Sequence, residues 1–154
     1  MNQEDAVWGE DPIAQMHVWT ESSCMRDHAQ AVLIVDDSVT VRSAIRTFLE
    51  VTMQMKVCGE AADGLEAIQM ASEHKPTLIL MDLSMPSMNG VEAASVIKKQ
   101  APESRIVVFT LYTDAIGRAM AKAAGVDVVV SKSEGATGLM RALLPLLNED
   151  SLLS

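Results

Sequence analysis

Apolar and polar positions follow two alternating periods along this chain from residue 31 onward. Short apolar runs of strand length are each followed by a longer segment in which apolar residues recur every three or four positions, and this pairing occurs five times. The predicted strands cover residues 31–36, 55–59, 77–81, 105–109 and 127–131. Strands that alternate with helices are joined by right-handed crossovers into a parallel sheet. The pattern therefore predicts an α/β fold with helices on both faces of a doubly wound parallel sheet.

The helical segments between these strands have recognisable ends. Side chains suited to N-caps precede them at Ser38, Asp63, Asn89 and either Thr113 or Asp114. The periodicity predicts that the first helix buries Val41, Ala44, Ile45, Phe48 and Leu49. It predicts that the second buries Leu65, Ile68 and Ala71, and that the fourth buries Ile116, Met120 and Ala123. Gly125 is expected to end the fourth helix, and Pro145 is expected to end or kink the fifth.

Polar side chains stand where four of the apolar strands end. Asp36 and Asp37 follow the first strand, Asp82 follows the third, Thr110 follows the fourth and Lys132 follows the fifth. In an open parallel sheet, ligands bind outside the carboxyl ends of the strands, near the point where the strand order reverses. We therefore expect these five side chains to share one site.

The residue types at this edge favour phosphoryl chemistry. Three carboxylates without histidine or cysteine neighbours suit a hard divalent cation, and Mg²⁺ fits them better than Ca²⁺. Beside such a cation and Lys132, Asp82 would accept a phosphoryl group in line, and Thr110 would donate a hydrogen bond to the new phosphate. Taken singly, Asp36 and Asp37 suit a turn or helix cap, and Thr110 and Lys132 suit ordinary strand ends. Only the complete set favours a phosphoryl acceptor.

Composition and charge exclude several classes of protein. Nearly half of the residues are apolar, which favours a folded domain over a disordered chain. The net charge of -9 argues against direct binding of nucleic acid, which needs clustered Lys and Arg. No segment has the pattern of a signal peptide or the length of a membrane span, so we expect no membrane insertion and a cytoplasmic location. Cys24 and Cys58 lack metal-type spacing and provide no disulfide framework.

The chain divides into three segments by composition. Residues 1–30 form an acidic N-terminal extension, residues 31–147 form the domain, and residues 148–154 form a C-terminal tail. We favour a flexible extension, since termini are commonly disordered unless they are tied down. Trp8 and Trp19 in this extension leave open an interaction tail with aromatic anchors.

Four short motifs, in order, resemble the signatures of bacterial response-regulator receiver domains. They are residues 32–38, residues 81–86 with Gly90 after them, residues 109–110 and residues 131–132. The resemblance covers about residues 31–147 and implies a flavodoxin-like (βα)5 fold with strand order 2-1-3-4-5. It also implies that Asp82 takes a phosphoryl group from a phosphohistidine on a sensor histidine kinase or phosphotransfer protein. Such a receiver is not an enzyme beyond its self-catalysed phosphorylation and dephosphorylation.

The resemblance assigns a role to each residue of the predicted site. Asp37 and Asp82 would ligate Mg²⁺ directly, Ser84 would contribute its backbone carbonyl, and Asp36 would act mainly through the metal's waters. Lys132 would pair with the phosphate, and Thr110 would be the switch hydroxyl. Similar receivers signal through the face built from the fourth helix, fifth strand and fifth helix, often by forming a homodimer there.

The chain also departs from the family pattern. Val129 stands where receivers usually have an aromatic residue, Ser133 stands where proline is common, and Leu111 is bulkier than usual. Tyr112 is a candidate for controlling the access of water to the acyl phosphate. The run from Thr110 to Tyr112 resembles the subgroup of receivers that usually carries a LuxR-type output domain.

Three alternatives remain open. A Mg²⁺-dependent phosphatase with an aspartyl nucleophile is disfavoured because Ser84 stands two residues after Asp82, where a second carboxylate would serve as the general acid. A pseudo-receiver that is never phosphorylated would not need the complete set of polar residues. The chain could also be a receiver fragment of a DNA-binding regulator, although we favour a single-domain protein because of its unusual extension.

Overall fold

The central element of the fold is a parallel sheet. The computed structural model describes residues 31–85, 88–111 and 113–153, the last six as helix backbone only. The strands in the described residues are β1 (Ala31–Val35), β2 (Lys56–Ala61), β3 (Leu78–Met81), β4 (Arg105–Thr110) and β5 (Val128–Ser131). They pair in parallel in the order β2-β1-β3-β4-β5. The predicted α/β architecture and strand order are confirmed, with the second strand displaced toward Ala61.

Each strand is followed by a helix close to the predicted position. They are α1 (Val39–Thr47) with a π-helical continuation (Phe48–Thr52), α2 (Gly64–His74), α3 (Gly90–Gln100), α4 (Ala115–Ala123) and α5 (Gly135–Leu153), which follows a 3-10 turn (Lys132–Glu134). The side chains of Ser38, Asp63, Asn89 and Asp114 each accept a hydrogen bond from the backbone N–H three residues on. These side chains satisfy backbone donors that a helix start leaves unpaired, and they confirm the predicted caps, with Asp114 rather than Thr113 before α4.

Each face of the sheet carries its own apolar core. Alternate residues of a strand point to opposite faces, so neighbours such as Leu33 and Ile34 belong to different cores. One core packs the sheet against α2, α3 and α4 through small side chains such as Ala67 and Ala94. The other packs it against α1 and α5 through larger ones such as Leu139. Strands buried on both faces explain the continuous apolar runs in the sequence.

Three helices bury positions other than those predicted. Helix α4 buries Ala121, whereas its predicted positions, Ile116, Met120 and Ala123, are exposed. Ala44 is exposed, because α1 buries Ile45 and its continuation buries Leu49. Leu65 is 58% exposed, because α2 turns small residues, including Ala67, toward the sheet and α3.

Helix α5 also does not end at Pro145. It continues to Leu153, so the predicted C-terminal tail is helical as far as that residue. Leu143 and Leu146, on either side of the proline, are buried and hold the helix against the sheet. Within the described residues, no helix combines the length and apolar character that a membrane crossing requires.

Candidate functional site

The candidate site lies where the strand order reverses. The chain leaves β1 for β2 on one side and returns to β3 on the other, so a crevice opens between the carboxyl ends of β1 and β3. Val35 pairs with Met81 in the last register position of these strands. Asp36 and Asp82 therefore leave the sheet side by side, and the Asp82 N–H donates to the Val35 carbonyl at 3.0 Å.

Three carboxylates converge in this crevice. Asp36, Asp37 and Asp82 each place a carboxylate oxygen within 4.8 Å of the others. Asp36 and Asp82 are buried, at 2% and 7% exposed, whereas Asp37 is open to solvent. An all-oxygen donor set with one open side suits a hard cation that keeps part of its water shell. The arrangement fits Mg²⁺, as the sequence predicts.

Lys132 provides the positive charge that faces these carboxylates. Its Nζ donates to Asp36 Oδ2 at 2.7 Å and to Asp82 Oδ2 at 3.2 Å. Burial alone would lower the pKa of Lys132, but the hydrogen bond to Asp36 and the charges of Asp82 and Asp36 outweigh it, and the pKa is raised. Lys132 is therefore a fixed cation at neutral pH.

Thr110 and Ser84 occupy the same edge of the sheet. Thr110 is the last residue of β4, is fully buried and pairs in register with Ser131, next to Lys132. Ser84 is exposed on the loop after β3, and its N–H lies 3.4 Å from Asp82 Oδ1. The structure thus brings the five strand-end residues and Ser84 to one edge, with the three carboxylates and Lys132 in direct proximity.

The residues that depart from the family pattern differ in how far the structure buries them. Val129 is half-buried and packs against the core between the sheet and helices α2, α3 and α4. Leu111 is 67% exposed beside Thr110. Tyr112, Trp8 and Trp19 lie outside the described residues.

The backbone of Asp36 is also held by residues of β2 and α1, and the sequence does not predict these contacts. Its N–H donates to the Ala61 carbonyl at 3.0 Å, and its carbonyl accepts from Arg42 Nη1 at 2.5 Å. Glu60 accepts from Arg42 Nε at 3.1 Å and from Arg46 Nε at 2.6 Å. The i, i+4 spacing of the two arginines after the acid pair was the available signal, but their shared partner lies on another element.

The ion pairs of Glu60 with Arg42 and Arg46 should make the stability of the fold depend on pH in acid. The hydrogen bond from Arg46 lowers the pKa of Glu60, burial opposes this shift, and Arg42 adds to it. A lowered pKa stabilises the fold above the unfolded-state value of about 4.3, and this contribution is lost as the pH falls through the folded-state pKa. Glu60→Gln should therefore be less stable than the parent chain at pH 7, and the difference should disappear as the pH falls through the lowered folded-state pKa of Glu60. Urea unfolding of both chains across this range measures it, and a constant difference would refute the assignment.

Gly90 allows the loop after Asp82 to close tightly. Its N–H donates to the Leu83 carbonyl at 2.9 Å. A Cβ added at Gly90 would lie 2.3 Å from the Asp82 carbonyl oxygen and 2.9 Å from Leu83 Cα, so backbone atoms would have to move. Gly90→Ala should cost about 1–3 kcal/mol of stability and displace the loop that carries Ser84. Thermal unfolding tests this expectation, and an unchanged melting temperature would contradict it.

Comparison with known proteins shows which family this chain resembles. A family model described as response regulator receiver domain matches residues 32–144. The chain is 38% identical over 121 residues to the response regulator protein VraR of Staphylococcus saprophyticus, and the alignment covers 79% of this chain and 58% of that protein. The chain thus spans little more than half the length of that curated relative.

Solved structures show the same likeness. A two-component response regulator of the LuxR family from Aurantimonas sp. SI85-9A1 superposes with a TM-score of 0.74 at 31% identity, covering 78% of this chain and 86% of that chain. The response regulator domain of Thermotoga maritima CheB gives a TM-score of 0.64 at 35% identity, covering 80% of this chain and 94% of that chain.

Proposed function

This chain belongs to the response regulator receiver domain family, and we propose that it is a phosphoacceptor switch in two-component signalling. Asp82 would take the phosphoryl group from a phosphohistidine of a sensor histidine kinase or phosphotransfer protein. The observation that carries this proposal is the buried Asp82 carboxylate, which lies 3.2 Å from the Lys132 ammonium and beside two further carboxylates.

The transfer step follows from the groups at the site. A carboxylate oxygen of Asp82 attacks the phosphorus, and the bond from phosphorus to the imidazole nitrogen breaks. The imidazole keeps the electron pair of that bond and takes up a proton. Lys132, which stays charged, stabilises the negative charge spread over the phosphoryl oxygens.

The charge of the site favours a divalent cation as part of the proposed mechanism. Asp36, Asp37 and Asp82 carry three negative charges against the single positive charge of Lys132, so an incoming phosphoryl group meets a net charge of two negative units. Bound Mg²⁺ would neutralise this excess and polarise the phosphoryl oxygens. Asp37, Asp82 and the Ser84 carbonyl are the proposed direct ligands, with Asp36 acting through the metal's waters.

We propose that the signal leaves through the face formed by α4, β5 and α5. The buried Thr110 would donate its hydroxyl to the new phosphate, and the movement would pass to Leu111 and α4. Leu111 and Ile116 are 67% and 73% exposed, so two large apolar side chains lie open to solvent between β4 and the first turn of α4. A partner protein or a second copy of the chain is the proposed occupant of this face.

A receiver segment of a longer DNA-binding regulator is the second candidate. The alignment with VraR covers 58% of that protein, and this difference in length favours a receiver segment of a longer chain. In both candidates the domain turns over no external substrate, so the chemistry ends with phosphorylation and hydrolysis at Asp82. The proposed cytoplasmic location is compatible with either.

Phosphorylation by a small-molecule donor tests the proposal. The purified chain is incubated with acetyl phosphate, with and without Mg²⁺, and its intact mass is followed with time. We expect a gain of one phosphoryl group that depends on Mg²⁺ and is reversed by hydrolysis. No gain under either condition would favour a pseudo-receiver that acts only as a binding module.

A further inference from the structure

We propose that Arg42 is a positioning residue for the metal-binding acid pair, and that Glu60 at the end of β2 orients Arg42 for this purpose. The inference rests on the proposed function and extends it to residues outside the crevice. Arg42, on α1, contacts the peptide between Asp36 and Asp37.

Arg42 joins the site to β2 through two hydrogen bonds. Its Nη1 donates to the Asp36 carbonyl at 2.5 Å, and its Nε donates to Glu60 Oε1 at 3.1 Å. The Arg42 side chain is 13% exposed and that of Glu60 is 28% exposed, so both contacts of Arg42 are partly buried. A planar guanidinium with separate donors on Nε and Nη1 suits a bridge between two acceptors.

The contacted carbonyl controls the direction in which Asp37 leaves the strand. A peptide unit is planar, so the orientation of the Asp36 carbonyl fixes the N–Cα bond of the next residue. The other groups of Asp36 are already held, by Ala61 at its N–H and by Ser38 and Lys132 at its carboxylate. Arg42 adds a constraint on the peptide that leads into Asp37, the solvent-exposed member of the acid cluster.

Glu60 holds Arg42 in the required orientation. Its two carboxylate oxygens accept from Arg42 Nε and Arg46 Nε, and Arg46 also pairs with Glu50 at 3.1 Å. The next residue, Ala61, receives the N–H of Asp36. The last two residues of β2 therefore fix the acid pair both directly and through Arg42.

The competing interpretation is a salt bridge that only stabilises the fold. Partly exposed ion pairs contribute little to stability, so a purely structural role predicts small effects that are shared by Arg42 and Arg46. A positioning role predicts a loss of Mg²⁺ affinity for Arg42 alone. Removing a group that orients a metal ligand typically weakens metal binding by roughly 10- to 100-fold.

The test compares Arg42→Met with Arg46→Met, which removes the other arginine on Glu60 but leaves the Asp36 carbonyl contact. Mg²⁺ is titrated into each variant, and its affinity is obtained from the changes in amide NMR chemical shifts. Circular dichroism checks that each variant is folded. We expect Arg42→Met to bind Mg²⁺ roughly 10-fold more weakly or worse, and Arg46→Met to bind it like the parent chain. Arg42→Lys, which keeps a cationic donor, should recover part of the affinity and guards against misfolding of the methionine variant.

Labelling with acetyl phosphate provides the second readout. At low Mg²⁺, Arg42→Met should be labelled more slowly than the parent chain, and at saturating Mg²⁺ its labelling rate should recover. Unchanged Mg²⁺ affinity, equal losses in both arginine variants, or no Mg²⁺ binding by the parent chain would each overturn the inference. A parent chain that binds Mg²⁺ but is never labelled would instead overturn the proposed function and leave the role of Arg42 to be judged from the titration.

Discussion

Replacement of Asp82 by asparagine should reduce Mg²⁺-dependent phosphoryl labelling to background. The asparagine amide has nearly the same size as the carboxylate but is a poor nucleophile, so the acceptor is lost with little change in packing. The variant also loses one negative charge of the proposed cation site, and it should bind Mg²⁺ more weakly. Labelling is followed by intact mass with acetyl phosphate as the donor.

Asp114→Asn is the matched control for this experiment. Asp114 is exposed and caps α4, a position in which asparagine serves about as well as aspartate. The control should label at the parent rate, which would show that the loss in Asp82→Asn does not follow from any aspartate replacement. Labelling of Asp82→Asn at the parent rate would refute the assignment of the acceptor.

Replacement of Lys132 by methionine should destabilise the domain strongly in the absence of Mg²⁺. The Lys132 ammonium faces two buried carboxylates at 2.7 and 3.2 Å, and its removal leaves these charges without their cation. Removing one partner from a buried ion pair costs about 3–5 kcal/mol. Because Mg²⁺ would supply a replacement charge, adding it should stabilise the variant more than it stabilises the parent chain.

The pH dependence of this effect has a defined sign. The pKa of Lys132 is raised in the folded chain, so the ion pair contributes fully below the unfolded-state pKa of about 10.4 and is lost as the pH rises through the higher folded-state value. The difference in free energy of unfolding between Lys132→Met and the parent chain should therefore have its full value at pH 7, where urea unfolding measures it. Lys99→Met, at an exposed position on α3, is the control and should be near neutral. Equal stability of Lys132→Met and the parent chain would show that Lys132 does not offset the buried charges.

The fold could be predicted from the sequence wherever local chemistry determines it. The apolar runs are buried on both faces of the sheet, and the helix starts are set by side chains such as Ser38 and Asp63 that bond backbone groups three residues on. The site could be predicted because parallel strands bring their carboxyl ends to one edge. Asp36 and Asp82, 46 positions apart, meet for that reason alone.

The errors arise where tertiary packing decides between local alternatives. Leu65 fits a helical apolar period, but α2 approaches its neighbours through Gly64 and Ala67, which leaves Leu65 outside. Pro145 signals the end of a helix, yet the packing of Leu143 and Leu146 against the sheet continues α5 past it. Arg42 and Glu60 are 18 positions apart on different elements, so neither periodicity nor a motif could pair them.

Chemical trapping of the phosphorylated residue tests the central claim most directly. The chain is phosphorylated with acetyl phosphate and Mg²⁺ and reduced with borohydride, which converts an aspartyl phosphate into homoserine. The modified position is then found by peptide mass spectrometry. The account predicts homoserine at position 82 and at no other aspartate. Modification at Asp36 or Asp37 with Asp82 unchanged, or a stable phosphate on a histidine or hydroxyl residue, would contradict it.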